Sequence, residues 1–226
     1  MLDFDGGSQK NMLTEQVLRF STEVLTERQR NFYLENGCVR IERLVSDGWV
    51  KRLPAASKQL VNQSRAITVS DDVYVLETGH SAEMPRLKRL TSPVSHHPDF
   101  WDFASNSNTV DAVADVVGPN VRFYHSKLNY KWAGGGQSFD WHQDIQAWPH
   151  TNYSPVTVGV LLEDTTLNQG PLTAIKGESH KGKLYDLYDE SDNFVIRIEQ
   201  DEFDWVTEEM KEYMTGPAGT IVLLNC

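Results

Sequence analysis

The chain has 226 residues, of which 39% are hydrophobic and 23% are charged, and no low-complexity tract or Gly/Ser-rich linker divides it, so we predict a single domain with one sizeable core. Its 21 basic and 32 acidic side chains give a formal net charge of −11, which argues against a nucleic-acid-binding surface and against binding to an anionic membrane. A small-molecule substrate fits this charge better.

Residues 1–7 do not combine a basic region with an apolar run. No window of the sequence approaches the roughly 18 apolar residues of a membrane span. The sequence thus predicts neither secretion nor membrane insertion. The two cysteines, Cys38 and Cys226, do not make a disulfide framework, so the expected location is the reducing cytoplasm.

The first predicted elements are a helix, a strand and a second helix. Residues 26–29 have the spacing of a capping box, which predicts a helix start, and Gly37 is placed to end that helix. A strand is then expected over residues 38–41. Ser46 can cap a second helix, but Pro54 is expected to limit it to a short segment or to kink it.

Residues 66–90 show no spacing of apolar residues that indicates either a helix or a strand. After them, two further helices are predicted. A short one begins at Pro98, and another spans residues 109–117 and ends at the Gly-Pro pair that follows. We therefore expect residues 1–118 to form a mostly helical cap and support, and residues 119–226 to form the core of the same domain.

After residue 118 the apolar pattern changes from helical spacing to the alternation that is typical of strands. The predicted strands are residues 121–132, 141–145, 156–162, 172–175 and 220–224. An acidic insert at about residues 184–216 is expected to form a hairpin arm and then a helix over residues 204–214. This order predicts a mainly β fold with N-terminal helices, either an antiparallel barrel or a double-sheet jelly roll.

His142 and Asp144 are the most informative residues, because they lie two positions apart in a predicted strand. Such side chains point to the same face, so an imidazole nitrogen and a carboxylate oxygen can reach one ion. This donor pair suits iron(II), manganese or zinc, and a site of two histidines and one carboxylate leaves positions open for a cosubstrate and dioxygen. This spacing also occurs by chance. Taken alone, it is better explained by an ordinary surface or core histidine that forms hydrogen bonds and binds no metal.

Further motifs follow in order: Trp148-Pro149, Asn168-Gln169-Gly170-Pro171-Leu172 and Gly177-Glu178-Ser179-His180-Lys181-Gly182. With Trp141-His142-Gln143-Asp144, they make the chain resemble the phytanoyl-CoA dioxygenase family of iron(II)- and 2-oxoglutarate-dependent oxygenases from about Arg28 onward. The resemblance implies a double-stranded β-helix, a cupin-like jelly roll, with iron held by His142 and Asp144. It also implies oxidative decarboxylation of 2-oxoglutarate with dioxygen, coupled to hydroxylation of a small organic substrate whose identity the sequence does not reveal.

The chain departs from the family pattern at its end. Family members continue past a strand like residues 219–224 into a segment with a second histidine ligand, and then to an arginine that pairs with the far carboxylate of 2-oxoglutarate. This sequence stops at Cys226. We therefore expect a C-terminally truncated copy of a longer enzyme, inactive as it stands, with its final strand or strands missing and a sheet edge left open.

The resemblance also suggests side chains around the metal. Gln143, Lys127 and Tyr124 are expected to bind the cosubstrate, because the first has a counterpart near it and the other two lie on the strand that borders the 2-oxoglutarate pocket in relatives. Trp148 and His125 are expected to line the substrate pocket. Ordinary alternatives exist: an outward-facing structural role for Gln143, a solvated surface for Lys127 and core packing for Trp148.

Two other functions stay open. The chain is alternatively a non-catalytic β-roll protein that binds a small ligand and has lost the metal site, or a cupin-like metalloenzyme in which His180 replaces the missing ligand. His180 is more simply a residue of a surface turn. The carboxylate of Asp144 favours hydroxylation or desaturation over chlorination, because related halogenases carry a small residue at that position.

Overall fold

The computed structural model describes residues 14–134, 138–145, 154–177, 184–185, 188–189, 193, 195 and 197–226, with the backbone alone for residues 200 and 203. Its longer helices are α1 (Glu27–Asn36), α2 (Asp47–Gln63), α3 (Pro98–Asn106) and α4 (Asn108–Val117). Short 3-10 helices occupy Ser64–Ala66, Pro93–Ser95, Leu167–Gln169, Gln200–Phe203 and Glu208–Met210. Among the described residues, no helix is both long and apolar enough to cross a membrane.

The strands form three small antiparallel sheets. They are β1 (Cys38–Ile41), β2 (Tyr74–Leu76), β3 (Leu87–Thr91), β4 (Lys127–Asn129), β5 (Val156–Val160), β6 (Thr173–Ile175), β7 (Lys211–Tyr213) and β8 (Ile221–Asn225). The central sheet has the order β1-β8-β5, the second sheet has the order β2-β3-β4, and β6 pairs with β7. β8 therefore has a neighbour on both sides, and the strands of the described residues do not close into a barrel.

The first helix begins and ends where the sequence predicts. The Thr26 hydroxyl accepts a hydrogen bond from the Gln29 backbone at 3.2 Å, while the Gln29 side chain accepts one from the Thr26 backbone at 2.9 Å. Gly37 then ends α1 with φ 72°, a left-handed conformation that glycine adopts at little cost. The predicted capping box and glycine stop are both confirmed.

The second helix does not end at Pro54. α2 continues past this residue, so the short first segment, one of the two expected effects of the proline, is wrong, while the kink stays a prediction. A proline inside a helix removes one backbone hydrogen bond and costs about 3 kcal/mol. Leu53 and Leu60 on the same helix are 2% and 0% exposed, and their burial in the main core, together with that of the residues around them, outweighs this cost.

The central sheet separates two apolar clusters because its side chains alternate between its faces. On one face, residues such as Val39 and Leu223 join the main core with the helices. On the other face, Cys38 and Val222 pack with Met214, which follows β7. The β6-β7 pair therefore covers the face of the central sheet that is turned away from the helices, which gives the layered packing of a jelly roll.

The alternating pattern after residue 118 predicts more strand than the structure contains. Of residues 121–132, only Lys127–Asn129 form a strand. The strand cannot begin earlier because β3 ends at Thr91, opposite Lys127, and a ladder cannot extend past its partner; its end at Asn129 is not set in this way, since β3 continues to Leu87. Conversely, residues 66–90 contain β2 and most of β3, which are too short to show an alternation. The division of the domain at residue 118 stays a prediction.

The helix predicted over residues 204–214 is wrong. Its second half contains a 3-10 turn, Glu208–Met210, and strand β7, which pairs with β6. Met214 is 0% exposed behind the central sheet, so strand pairing and burial override the helical spacing of the apolar residues. Residues 194 and 196, in the predicted hairpin arm, lie outside the described residues.

The turn at Gly219 brings the chain against α2 with no room for a side chain. Its backbone has φ +84°, and a Cβ atom would lie 2.8 Å from Val50 Cγ2 and 3.0 Å from Val45 O. We expect Gly219→Ala to lower the free energy of unfolding by about 2–4 kcal/mol, because backbone strain and steric overlap both act. Urea unfolding measures this loss.

Gly79→Ala is the matched control. Its backbone has φ +80°, and no atom of the described residues lies within 4 Å of the position of its Cβ. It isolates the backbone strain and should cost only about 1–2 kcal/mol. Equal losses for the two variants would show that the close contacts of Gly219 have no energetic consequence.

Candidate metal centre

The predicted metal ligands lie in residues 138–145, a segment without sheet pairing. The strand predicted over residues 141–145 is therefore not formed. The Ile198 backbone N–H donates a hydrogen bond to the Trp141 carbonyl at 2.8 Å, and Trp141 packs in a small cluster with Ile198. One backbone hydrogen bond and the packing of Trp141 thus hold this segment in place of a strand ladder.

Alternate side chains of the segment face different surroundings. Trp141 packs against Tyr185, and the Gln143 side-chain oxygen accepts a hydrogen bond from the Tyr185 backbone at 3.0 Å. His142 and Asp144 face each other instead, with Nε2 and Oδ1 3.5 Å apart. Alternate side chains of this segment therefore face opposite sides, as they would in a strand, although the segment forms no strand.

The His142 ring is oriented by the backbone of its own segment. Its Nδ1 lies 2.7 Å from the carbonyl oxygen of Asp140. Because a carbonyl oxygen only accepts, Nδ1 carries the proton of this hydrogen bond. In the neutral ring, the lone pair is then on Nε2, the nitrogen that faces Asp144 and the one available to a metal.

The two carboxylate oxygens of Asp144 have different environments. Oδ2 accepts a hydrogen bond from the Thr157 hydroxyl at 2.8 Å. Oδ1 is buried and has no hydrogen-bond partner among the described residues. A buried carboxylate oxygen without a partner is costly, and a divalent cation would relieve that cost.

A metal ion fits this donor set. Ligand nitrogen and oxygen atoms lie about 2.0–2.2 Å from such an ion, so two donors 3.5 Å apart can both reach it. One imidazole nitrogen and one hard carboxylate oxygen suit iron(II). Among the described residues, no group of three or more His, Cys, Asp or Glu side chains is placed to hold a metal.

Electrostatics couples the two groups. Asp144 raises the pKa of His142, although burial and the charge of Lys127 oppose this. Burial alone would raise the pKa of Asp144, but His142, Lys127 and Thr157 together outweigh it, and the pKa falls below its usual value. The carboxylate is therefore ionised at neutral pH, as a metal ligand must be.

Three of the other predicted residues, His125, Lys127 and Tyr124, lie in this neighbourhood. Burial and the charge of Lys127 lower the pKa of His125, while Asp144 raises it, so these groups are close together. Tyr124 stacks at a tilt on His125, with ring centroids 5.1 Å apart, and is 57% exposed. Its ring therefore lies beside His125 and is open to solvent. The proposed roles of these residues in ligand binding stay predictions.

Not every predicted residue is gathered near the pair. Gln143 is turned toward Tyr185, on the other side of its segment. Its cosubstrate role stays a prediction, and its hydrogen bond matches the structural alternative. Trp148 and His180 lie outside the described residues.

Two further residues at this site, Thr157 and Cys226, are not predicted from the sequence. Thr157 on β5 reaches Asp144, and its hydroxyl also lies 3.1 Å from the Cys226 sulfur. Burial raises the pKa of the Cys226 thiol to about 12. Because apolar residues alternate with others over residues 156–160, the sequence could have placed Thr157 on the face opposite Val156 and Val158. It could not have identified Asp144 as the partner of Thr157, because Asp144 lies in a segment that forms no strand.

Comparison with known proteins identifies relatives of this chain. The model of the family "Phytanoyl-CoA dioxygenase (PhyH)" matches residues 33–226. A probable alpha-ketoglutarate-dependent hypophosphite dioxygenase of Stutzerimonas stutzeri is 29% identical over 202 residues, which cover 88% of this chain and 70% of the relative. An ectoine dioxygenase of Sphingopyxis alaskensis is 25% identical over 219 residues, covering 89% of this chain and 68% of the relative.

Solved structures share the fold. The crystal structure of EctD from S. alaskensis with 2-oxoglutarate and 5-hydroxyectoine superposes with a TM-score of 0.73 at 20% identity, covering 92% of this chain and 70% of the other. The α-ketoglutarate-dependent carbocyclase SnoK gives a TM-score of 0.69 at 16% identity, with coverages of 92% and 77%. These neighbours confirm the predicted jelly roll. Because the family model spans most of its length, this chain belongs to the phytanoyl-CoA dioxygenase family of iron(II)- and 2-oxoglutarate-dependent oxygenases, as its motifs predict.

Proposed function

We propose that this protein is an iron(II)- and 2-oxoglutarate-dependent dioxygenase that hydroxylates a small organic substrate, with His142 and Asp144 as metal ligands. The observation that carries the proposal is the buried Oδ1 of Asp144, which has no hydrogen-bond partner among the described residues and lies 3.5 Å from His142 Nε2. Two metal ligands need a carboxylate oxygen that no hydrogen bond occupies and an imidazole that is held in one orientation. Asp144 and His142 meet these two requirements.

The protein's own groups hold the site in shape. When bound, iron(II) would supply the activation of dioxygen that accompanies decarboxylation of 2-oxoglutarate. The Asp140 carbonyl fixes the tautomer and orientation of His142. The side chains of His142 and Asp144 are only 27% and 14% exposed, so few water molecules compete for the same positions, and electrostatic interactions there are strong.

The second sheet offers positive charge for the two carboxylates of 2-oxoglutarate. In the register of β3 and β4, Arg89 lies opposite Asn129 and Thr91 opposite Lys127. Lys127, Asn129 and Arg89 therefore share one face, while Leu90 packs in the main core on the other. The Nε atom of Arg89 is buried without a hydrogen-bond partner among the described residues. This face supports the proposal of an anionic cosubstrate.

We expect Lys127→Met to weaken the binding of 2-oxoglutarate by roughly 10–100-fold, because a hydrogen bond to a charged group contributes about 1.5–3 kcal/mol. Anaerobic calorimetry of 2-oxoglutarate with the metal-loaded protein measures the dissociation constant. The control is Lys131→Met, since Lys131 bonds to the Gly170 carbonyl and should matter little for the cosubstrate. A similar loss for both variants would count against a specific role for Lys127.

Family membership does not identify the substrate. The relatives act on substrates as different as hypophosphite and ectoine, according to their names, so membership alone does not select one. We propose a small organic substrate and dioxygen as partners, with neither nucleic acid nor membrane, given the net charge of −11. The free thiols of Cys38 and Cys226 fit the cytoplasm, which we propose as the compartment.

The proposed function is tested in two steps with the protein as its natural gene encodes it. Anaerobic titration with iron(II) should show one bound ion per chain. Addition of 2-oxoglutarate and dioxygen should then release succinate. Absence of metal binding would overturn the proposal, and metal binding without any succinate would favour the non-catalytic binding protein.

A further inference from the structure

Thr157 occupies the side of β5 that faces the metal ligands. Its neighbours Val156 and Val158 pack against the main core with the helices. Because successive side chains of a strand point to opposite faces, Thr157 is turned away from that core. Its hydroxyl donates to Asp144 Oδ2 at 2.8 Å, across a sequence separation of 13 residues.

The direction of the hydrogen bonds follows from counting protons. The hydroxyl of Thr157 has one hydrogen, and it is used in the bond to the carboxylate, which can only accept. The 3.1 Å contact between Thr157 Oγ1 and Cys226 Sγ must then have the thiol as donor. The Cys226 thiol therefore donates to the Thr157 hydroxyl, and this hydroxyl donates to Asp144. Both hydrogen bonds together fix the orientation of the hydroxyl.

We propose that Thr157 is a positioning residue for the metal: by holding Oδ2, it makes Asp144 bind the ion through Oδ1 alone. This inference rests on the proposed function. A carboxylate without this anchor can rotate about its terminal torsion, which has no sharp rotamer preference, and can offer both oxygens. One bound oxygen leaves a coordination position free for the cosubstrate or dioxygen, which a bidentate carboxylate would occupy.

The test compares Thr157→Val, which keeps the shape and removes the donor, with Thr157→Ser, which keeps the donor. Cobalt(II) is titrated anaerobically into the metal-free protein and into both variants, with the dissociation constant and the visible cobalt absorption as readouts. We expect affinity to fall about 10–100-fold in Thr157→Val, as for other groups that orient a ligand, and to return in Thr157→Ser. The cobalt spectrum should change in the valine variant alone, because its intensity depends on coordination number.

The outcomes separate this inference from the proposed function. If the unmodified protein binds no metal, the proposed function fails, and the role of Thr157 fails with it. If it binds metal and Thr157→Val binds equally well with an unchanged spectrum, only the role of Thr157 is overturned. The role of Thr157 is also overturned if Thr157→Ser binds cobalt(II) as weakly as Thr157→Val does. Should Thr157→Val unfold, Thr157→Ala, which adds no bulk, replaces it under the same criteria.

Discussion

Replacing His142 with alanine is expected to abolish iron(II) binding and, with it, the release of succinate from 2-oxoglutarate. Removing a group that only orients a metal ligand lowers metal affinity about 10–100-fold. Removing the ligand itself should therefore lower it more than about 100-fold. Asp144 Oδ1 would lose the imidazole nitrogen that lies 3.5 Å from it. Anaerobic iron(II) titration and a succinate assay measure the two effects.

The control for this variant is His96→Ala, which removes an imidazole from an exposed position after the 3-10 helix Pro93–Ser95. It should leave both readouts unchanged. The urea unfolding of metal-free His142→Ala should shift by about 1–3 kcal/mol, because the variant loses the hydrogen bond to Asp140 and the interaction with the Asp144 carboxylate. Retained iron binding or retained succinate formation in His142→Ala would remove His142 from the site.

The elements that the sequence predicts well are those determined by neighbouring residues. The capping box at Thr26 and the glycine stop at Gly37 involve residues three or four apart, and both are present in the structure. The same holds for the relation between His142 and Asp144, because alternation in an extended segment needs only local geometry. Local rules therefore sufficed for the first helix and for placing His142 and Asp144 on the same side of their segment, while their role as metal ligands stays a prediction.

The elements that the sequence misses depend on distant partners. The spacing of apolar residues favours a helix near residue 210, yet Lys211–Tyr213 pairs with β6 and is a strand. β4 begins opposite Thr91, the last residue of its partner β3, although the alternation of residues 121–132 starts earlier. Strand pairing is decided by which segments meet, and a pattern within one segment does not contain that information.

The candidate site shows the same division. The motif that carries His142 and Asp144 could be read from consecutive residues. The hydrogen bond of Thr157 to Asp144, and the thiol of Cys226 beside it, depend on how β5 and β8 are placed against the segment. The orientation of the Asp144 carboxylate is therefore a tertiary property, even though the spacing of His142 and Asp144 can be read from the sequence.

Asp115→Ala should be the most destabilising single substitution among those proposed. Asp115 lies on α4, is 4% exposed, and accepts hydrogen bonds from the backbone N–H groups of Glu23, Val24 and Leu25 at 2.7, 2.9 and 2.7 Å. Each donor left unpaired in the interior costs about 1–3 kcal/mol. Because the donors before α1 can partly reach water after relaxation, we expect a total loss of about 3–5 kcal/mol in the free energy of urea unfolding.

The matched control is Asp111→Ala, one turn earlier on the same helix, where the carboxylate is exposed. It removes the same group with an expected change within about 0.5 kcal/mol, as for other surface substitutions. Hydrogen exchange should locate the effect, because the amides of residues 23–25 lose their acceptor and should exchange faster in Asp115→Ala alone. If Asp115→Ala unfolds at the same urea concentration as Asp111→Ala, the carboxylate does not anchor the segment before α1, and burial of Leu25 in the main core must hold it instead.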